Sequence, residues 1–288
     1  MFPAAFDYER VDSVAEAVER LTAHAEAGRE TELLAGGHGL VPAMKAGDRA
    51  PEVVVDLDAD ELIGVTEREG GLAVGALTTY AAVADSDLVR DRAPVLADTV
   101  AEVGDVQIRN RGTLGGNLVE AHPAADPPAA VLAADATLVL VGPDGDREVS
   151  AADFFVDERE TIVEPAEVLT EIRVPSAVRA DAAYLRRTHP ATGYALVGVA
   201  AVLDRDGETV TDARVAATGA VERAVRLPAV ERALTGGPAD GDARAAAAAD
   251  AGADLAAERF RSDPSASGEF RQQLLETYVE WALAAAVA

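Results

Sequence analysis

The chain has 288 residues and is strongly acidic, because 51 Asp and Glu against 25 Lys and Arg give a formal net charge of −26. Hydrophobic residues make up 49% of the chain and aromatic residues only 4%, so the core that a chain of this length can bury consists mainly of Ala, Val and Leu. The acidic balance argues against nucleic acid as a partner, and the absence of cysteine excludes disulfides, a cysteine nucleophile, thiolate zinc and cysteine-bound iron–sulfur clusters on this chain.

The N-terminus and the charge bear on the location of the protein. Residues 1–10 have neither a basic region nor an apolar run, so they do not resemble a signal peptide, and no stretch approaches the ~20 apolar residues that cross a bilayer. We therefore expect a cytoplasmic protein without membrane insertion.

Lys45 is the single lysine, and at about 1 M salt a Debye length of ~3 Å screens acidic self-repulsion. These features favour a halophilic source, with an ordinary acidic protein as the alternative.

Helical and β-type patterns alternate over the first hundred residues. Ser13 and Glu16 match a capping box, and the apolar spacing that follows predicts a helix over 13–27. The next predicted elements are short strands at 33–34, 53–55 and 72–76 and helices at 79–90 and 94–103.

The second half of the chain continues this mixture. The predicted elements are helices at 128–134, 228–235, 242–258 and 268–286, and strands at 137–141, 168–174, 195–203 and 209–217. Pro175 ends a strand, and residues 176–182 are predicted to be a linker. Strands mixed with segregated helices indicate an α+β fold.

Two glycine-rich segments carry the strongest functional signal, Ala35–Gly39 (AGGHG) and Thr113–Asn117 (TLGGN). Adjacent glycines allow positive φ and close approach of another molecule, and consecutive N–H groups in such a turn can form a nest for phosphate. Two such segments predict a ligand with two phosphates, held from both sides. A tight turn is the alternative for either segment alone, and neither matches the G-x-G-x-x-G or P-loop pattern.

The segments around both motifs resemble one known family. AGGHGLVPAMK at 35–45, QIRNRGTLGGNLVEAHPAAD at 107–126 and VLTEIRVP at 168–175 are similar to the FAD-binding medium subunit of molybdenum hydroxylases. This family includes the flavoprotein subunits of aerobic carbon monoxide dehydrogenases and of multi-subunit xanthine dehydrogenases. A looser similarity continues at 226–236 and 260–283.

The resemblance implies the domain organisation. An FAD-binding domain of the PCMH/vanillyl-alcohol-oxidase-like type would span 1–175, with a first lobe at about 1–57 and a second lobe at about 58–175. A small C-terminal α+β domain, with a three-stranded sheet and helices, would span 178–288. FAD would lie in the crevice between the lobes, with one glycine motif on each side.

The resemblance also implies which residues bind FAD. The two motifs supply Ala35, Gly36, Gly37, His38 and Gly39, and Thr113, Leu114, Gly115, Gly116 and Asn117. Family members commonly have Ser at the position of Gly39, so any contact there would come from the backbone. His38 either donates a hydrogen bond to phosphate or flavin or braces its turn.

Four positions outside the motifs match family residues near the cofactor. Asp126 would lie near the diphosphate or ribityl region, and it also suits the N-cap of the helix that follows. Leu169 would contribute its backbone, whereas its side chain is expected in the strand core. Arg186 and Tyr194 match a Lys/Tyr pair that contacts the flavin, with arginine changing the donor geometry. A solvated strand charge and a half-buried aromatic are the alternatives for these two.

Other charged residues nearby suggest further roles. Arg109 and Arg111 precede the second motif and either neutralise a diphosphate or form surface ion pairs. Glu120, His122 and Asp126 have metal-ligating side chains, but structural zinc sites usually have four protein ligands and catalytic sites three, and the loop context explains the cluster more simply. We therefore expect no metal site, and no side chain is predicted to be catalytic.

The implied function is that of an electron-transfer subunit. An iron–sulfur small subunit and a molybdopterin large subunit would be the partners, in a heterotrimer or its dimer, with electrons passing through FAD to NAD⁺, a quinone or another acceptor. The absence of cysteine agrees with clusters on another chain. The alternatives are a stand-alone FAD-dependent oxidoreductase of the same fold and a scaffold subunit that has lost FAD.

Overall fold

The structure is a computed structural model that describes residues 2–176 and 180–288. The described residues form a three-stranded, a five-stranded and a four-stranded sheet, which follow one another along the chain, together with a two-stranded ribbon. The mixture of strands and segregated helices confirms the α+β fold class.

The N-terminal part of the chain folds around a parallel sheet with the strand order β1-β3-β2. Its elements are β1 (Asp7–Val11), α1 (Val14–Glu26), β2 (Thr31–Leu34), α2 (Leu40–Ala46) and β3 (Val53–Leu57). The Ser13 side chain accepts a hydrogen bond from the Glu16 N–H and so caps α1, as the sequence predicts. Because β2 ends at residue 34, the first glycine motif lies at the C-terminal edge of this sheet, where ligands often bind in parallel sheets.

The middle part contains an antiparallel sheet with the strand order β4-β5-β10-β6-β7. Its strands are β4 (Val65–Arg68), β5 (Gly71–Gly75), β6 (Thr137–Gly142), β7 (Gly145–Ser150) and β10 (Val168–Pro175). Its helices are α3 (Tyr80–Asp85), α4 (Asp87–Arg92), α5 (Pro94–Ala101), α6 (Val106–Arg109), α7 (Leu114–Glu120), α8 (Pro127–Ala133) and α9 (Ala151–Phe154). A short 3₁₀ helix (Asp60–Leu62) precedes β4. A two-stranded ribbon of β8 (Phe155–Asp157) and β9 (Glu160–Thr161) follows α9.

The C-terminal part forms an antiparallel sheet with the strand order β11-β12-β13-β14. Its elements are β11 (Asp181–Thr188), β12 (Ala195–Asp206), β13 (Thr209–Thr218), β14 (Val225–Arg226), α10 (Pro228–Leu234), α11 (Gly241–Ala249), a 3₁₀ helix (Ala257–Arg259) and α12 (Gly268–Ala286). The predicted sheet of three strands therefore gains a fourth strand of only two residues, β14, at one edge. No helix among the described residues combines the length and hydropathy needed to span a bilayer.

Both faces of the C-terminal sheet are covered. One face contributes Tyr184, Ala200, Val202 and Ala216 to the core formed by the middle part, and the other packs on α10–α12. This burial on two sides explains why β12 is apolar without alternation over residues 195–203. The same packing fixes β11 beside α5 of the middle part.

Three predicted elements differ from the structure. The helix expected at 79–90 is two helices, because Ser86 accepts from the Val89 N–H and caps a new one. The helix expected at 242–258 ends at Ala249. The linker expected at 176–182 includes the start of β11, while residues 177–179 lie outside the described part of the chain.

Candidate functional site

A cleft of about 510 Å³ is lined by residues from all three parts of the chain. All of the predicted cofactor-binding residues except Leu114 line it. The Leu114 side chain is fully buried in the core of the middle part, so this position is corrected from a ligand contact to a core residue. A volume of this size is within the range of small-molecule and cofactor sites.

The first glycine motif leaves its backbone donors free. Gly37 has a φ of +79°, which favours glycine. Among the described residues, no protein acceptor is hydrogen-bonded to the N–H groups of Gly36, Gly37, His38 or Gly39. These N–H groups are available to an anionic ligand, as a phosphate-binding loop requires.

His38 braces this loop. Its exposed ring places Nδ1 3.1 Å from the carbonyl oxygen of Gly36, so Nδ1 carries a proton and donates. The turn-bracing alternative therefore holds, and in the neutral ring Nε2 is left as an acceptor rather than a donor.

The second glycine motif is the first turn of α7, not an open nest. Thr113 caps this helix by accepting from the Gly116 N–H at 3.3 Å. The N–H groups of Leu114 and Gly115 donate to the carbonyls of Thr78 and Ala76 at 3.0 and 2.9 Å. Neither glycine of this pair has positive φ, so the expected nest is wrong, and the glycines serve close packing instead. A Cβ on Gly115 would lie only 2.8 Å from the Ala76 carbonyl oxygen.

Asn117 is the residue of this motif that presents an unused polar atom. Its Oδ1 is buried and has no hydrogen-bond partner in the described chain. A buried acceptor without a partner is costly, and a ligand that donates to it removes that cost. Asn117 lines the cleft together with Tyr80, and burial raises the pKa of the Tyr80 hydroxyl.

The backbone of the first motif lies against the segment that leads into the second motif. A Cβ on Gly36 would overlap the carbonyl oxygen of Arg111. Arg111 does not line the cleft, and Arg109 donates from Nη1 to the carbonyl oxygens of Val103 and Gly104 at 3.1 and 3.0 Å. Neither arginine therefore lines the cleft: Arg109 binds backbone carbonyls, and Arg111 contributes its main chain at Gly36.

Asp126 ties the middle part to the C-terminal sheet. It occupies the N-cap position of α8, as expected, but its side chain makes no capping bond to the helix. It accepts instead from the Tyr184 hydroxyl and, at 2.7 Å, from Arg186 Nη1. Burial raises the pKa of Asp126 to about 6, against the opposing effect of the Arg186 charge. The charge pair is thus held in a desolvated position.

Arg186 has one guanidinium N–H, at Nε, that lies 3.7 Å from Glu102 Oε2 without forming a hydrogen bond. Its Nη2 donates to the Glu102 carbonyl oxygen, while its buried Nε has no hydrogen-bond partner among the described residues. Only 11% of the side chain is exposed, so the group is neither a solvated strand charge nor a fully satisfied core residue. The sequence did not single out Tyr184, whose only signal is its place two residues before Arg186, on the same face of β11.

An aromatic pair lines the same cleft. The rings of His122 and Tyr194 stack with centroids 4.5 Å apart, and 48% of Tyr194 is exposed. Burial, with help from the charges of Arg159 and Arg261, lowers the pKa of His122 to about 4. His122 Nδ1 accepts from the Ala124 N–H at 3.1 Å. The His122 ring is therefore neutral near pH 7.

Leu169 of β10 also lines the cleft. Its side chain is 5% exposed and borders the cleft, and its backbone pairs with Leu140 of β6. The register of the pairing shifts between Leu169 and Glu171, which leaves the backbone at this point irregular. The expected strand-core role of the side chain is confirmed.

Sequence reasoning missed a cluster of ion pairs, which we call the Glu120 cluster: Glu32, Arg49, Glu120 and Arg159. All four residues line the cleft, and Glu120 forms ion pairs with both arginines. No group of three or more metal-ligating side chains suitable for an ion occurs in the described ranges. Glu120 is thus an arginine partner, and no signal in the sequence pairs it with Arg49 or Arg159.

Comparison with known proteins decides the family. A model of the FAD binding domain in molybdopterin dehydrogenase matches residues 4–177, and a model of the CO dehydrogenase flavoprotein C-terminal domain matches residues 187–286. The chain belongs to this flavoprotein family. It is an oxidoreductase subunit whose cofactor is FAD.

Individual relatives cover most of the flavoprotein. The medium chain of carbon monoxide dehydrogenase from Hydrogenophaga pseudoflava is 38% identical over 78% of each chain. The medium chain of glyceraldehyde dehydrogenase from Sulfolobus acidocaldarius is 33% identical over 82% of this chain and 83% of that one. A solved structure of the H. pseudoflava carbon monoxide dehydrogenase superimposes with a TM-score of 0.94 at 36% identity, covering 100% of this chain and 99% of that one.

The described residues suit FAD by their own chemistry. Around one cleft, the flavoprotein offers free N–H groups at the first motif, together with Asn117 Oδ1 and Arg186 Nε, which make no hydrogen bond within the described residues. A ligand that satisfies all three kinds of group must carry both anionic oxygens and hydrogen-bonding polar atoms, as a flavin dinucleotide does.

The lowered pKa of His122 predicts a pH-dependent stability. Because the unfolded ring titrates near 6.5 and the folded ring near 4, the unfolded state binds more protons between these values, and stability falls as the pH falls through this window. At about 1.4 kcal/mol for each pKa unit, the loss is at most about 3 kcal/mol. His122→Asn keeps an acceptor for the Ala124 N–H. In urea unfolding, the stability advantage of the wild type over this variant should be larger at pH 7 than at pH 4.5.

The same substitution at His38, which is exposed, controls for the change of residue type. An advantage of the wild type over His122→Asn that is equal at both pH values would contradict the assignment of a neutral, buried His122.

Proposed function

We propose that this flavoprotein is the electron-transfer subunit of a molybdenum hydroxylase complex, passing electrons from iron–sulfur clusters of a partner subunit through FAD to NAD⁺, a quinone or another acceptor. The names of its relatives support this role, because they are medium chains of dehydrogenases. The chain has no cysteine with which to hold a cluster, so the clusters belong to another chain.

One observation carries the proposal: unpaired polar groups from three parts of the chain converge on one cleft. We assign the diphosphate to the free N–H groups of Gly36–Gly39, with Ala35 beside them. Asn117 Oδ1 and Arg186 Nε supply an acceptor and a donor for other polar atoms of the cofactor. Thr113, Leu114, Gly115 and Gly116 act by holding α7 in place, and Asp126, Leu169 and Tyr194 complete the walls.

The residues of the cleft orient the cofactor and control its surroundings. Bound FAD supplies the exchange between one-electron and two-electron carriers. The stacked pair of His122 and Tyr194 offers a flat apolar face, and the neutral state of His122 keeps a positive charge away from it. Asp126 fixes the Arg186 guanidinium, so that its Nε–H is directed without loss of side-chain entropy on binding. None of these groups is required as a nucleophile or a general base.

The remaining proposals concern the domains of the chain and its partner subunits. We propose an FAD-binding domain at 1–175, with lobes at about 1–57 and 58–175, and a C-terminal domain at 178–288. The proposed partners are an iron–sulfur small subunit and a molybdopterin large subunit, in a heterotrimer or its dimer, with the substrate selected on the large subunit. The names of the relatives support this, since a medium chain belongs with a large and a small one.

FAD binding is tested most sharply at Asn117. Asn117→Leu replaces the amide by an apolar group of similar shape and removes an unpaired buried acceptor, so the free energy of unfolding of the FAD-free chain should stay equal or rise. The affinity for FAD should fall about tenfold or more, the value of one lost hydrogen bond in a desolvated site. The tagged chain, purified with any subunits that accompany it, is titrated with FAD and followed by its visible spectrum.

Gly36→Ala is a second variant that should weaken FAD binding. Its Cβ would overlap the Arg111 carbonyl oxygen and push the two lobes apart. Gly237→Ala is its matched control, since a Cβ there meets nothing closer than the Leu234 carbonyl oxygen at 3.6 Å.

Wild-type protein that shows no flavin bands with excess FAD would contradict the electron-transfer role and favour a scaffold. Flavin bands without co-purifying iron and molybdenum chains would favour a stand-alone oxidoreductase.

We further propose that the flavoprotein works in a salt-rich cytoplasm. A net charge of −26 with a single lysine supports this, because screening at high salt relieves the self-repulsion of the folded state. Many arginines are engaged with acidic partners across the surface, and such exposed pairs contribute little each. The uncompensated acidic residues therefore dominate the salt response.

The melting temperature of the chain should rise by several degrees between 0.1 M and 3 M KCl. Asp91, Asp144, Glu208 and Glu280 are exposed acidic residues that form no ion pair with another described residue. A variant that carries lysine at these four positions should be more stable at low salt and respond less to KCl. Differential scanning calorimetry measures both effects. A melting temperature that falls with KCl, or a variant with the wild-type response, would contradict the proposal.

A further inference from the structure

The Glu120 carboxylate lies directly against the first glycine motif. A Cβ on Gly39 would lie 3.1 Å from Glu120 Cδ and 3.2 Å from Oε2. The carboxylate thus fills the space that a side chain at position 39 would take. Because Glu120 ends α7 and Gly39 precedes α2, this contact joins the two lobes beside the free N–H groups of the first motif.

Two arginines converge on this carboxylate from different parts of the chain. Arg49 Nη2 lies 3.4 Å from Glu120 Oε2, and Arg49 Nη1 lies 3.2 Å from both carboxylate oxygens of Glu32. Arg159, in the turn between β8 and β9, donates to Glu120 Oε1. The two arginine side chains are 29% and 42% exposed, so their donors are not all enclosed by protein.

The charge balance of the cleft requires these cations. Its acidic lining residues are Glu32, Asp48, Glu120 and Asp126, and its basic ones are Arg49, Arg159 and Arg186. A diphosphate adds two negative charges to a lining in which acids already outnumber bases, and a partly buried anion needs a charged partner. The Arg186 charge is paired with the buried Asp126 carboxylate, whereas Arg49 and Arg159 are partly exposed and supply the remaining positive charge of the lining.

We infer that Arg49 and Arg159 are the charge partners of the cofactor's diphosphate, held beside Gly39 by their shared contact with Glu120. The inference rests on the proposed function, since it takes FAD as the ligand. The backbone N–H groups of the first motif then fix the position of the diphosphate, and the two guanidinium groups supply the positive charge that the backbone lacks. Glu120 acts as the positioning residue that keeps both arginines at the cleft before the ligand arrives.

The consequence is selectivity for the dinucleotide over the isoalloxazine and ribityl parts alone. Riboflavin has no phosphate, so its binding should not depend on Arg49 or Arg159. Arg49→Gln and Arg159→Gln should each weaken FAD binding about tenfold or more while changing riboflavin binding by less than about threefold. Arg159→Lys, which keeps the charge but not the forked geometry, should retain part of the affinity for FAD.

The test uses the tagged chain with any co-purifying subunits, stripped of flavin and titrated with FAD or riboflavin by flavin fluorescence at one fixed salt concentration. Arg232→Gln is the control, because Arg232 is an exposed arginine that pairs with Asp254 and does not line the cleft. Melting temperatures of all variants verify that they are folded.

A selective loss of FAD affinity in both variants supports the inference. Equal losses for FAD and riboflavin, or no loss for FAD, overturn it and leave the proposed function intact. Wild-type protein that binds no flavin overturns the proposed function itself, and the assignment of Arg49 and Arg159 with it.

Discussion

The approach of two main chains at Gly36 sets the geometry on which the site depends. Since a Cβ at this position would overlap the Arg111 carbonyl oxygen, only glycine lets the first motif lie against the segment that leads into α7. The motif follows β2 of the parallel sheet, and α7 packs against β10 of the antiparallel sheet. This contact between backbones therefore places the first motif beside the start of α7, and it fixes the distance across which a ligand must reach.

The polar groups of the cleft are arranged before any ligand is present. The Asp126 carboxylate holds Arg186 and Tyr184, and the Glu120 cluster holds Arg49 and Arg159. Buried and partly buried charge pairs contribute little to stability but lock side chains in one geometry, which lowers the entropy lost on binding. Asn117 Oδ1 and Arg186 Nε make no hydrogen bond within the described chain and are therefore the groups that a ligand can satisfy.

Much of this architecture could be predicted from the sequence, because it depends on local patterns. The capping box at Ser13, the apolar run of β12 and the resemblance of the glycine motifs led to the correct fold class, family and cofactor. The position of Asp126 at the cleft and at the start of α8 was also predictable, whereas the partners of its side chain, Tyr184 and Arg186, were not.

What the sequence did not predict depends on contacts between distant residues. The N–H groups of Leu114 and Gly115 were expected to face a phosphate, yet they are taken by Thr78 and Ala76, which lie in another segment. The pairing of Glu120 with Arg49 joins residues 71 positions apart, and no local pattern signals it. β11 was not predicted because the apolar and polar residues of its sequence, DAAYLRRT, stand in blocks and do not alternate as in a surface strand.

The central claim is that the ligand's anionic oxygens are bound by the backbone of the first motif, whereas the second motif positions the cleft. Amide hydrogen exchange, with and without saturating FAD, tests it directly. The N–H groups of residues 36–39 are free and should gain strong protection on FAD binding, whereas those of residues 114–117 are already hydrogen-bonded and should change little. Protection confined to 114–117, or none at 36–39 with FAD stoichiometrically bound, would contradict the account.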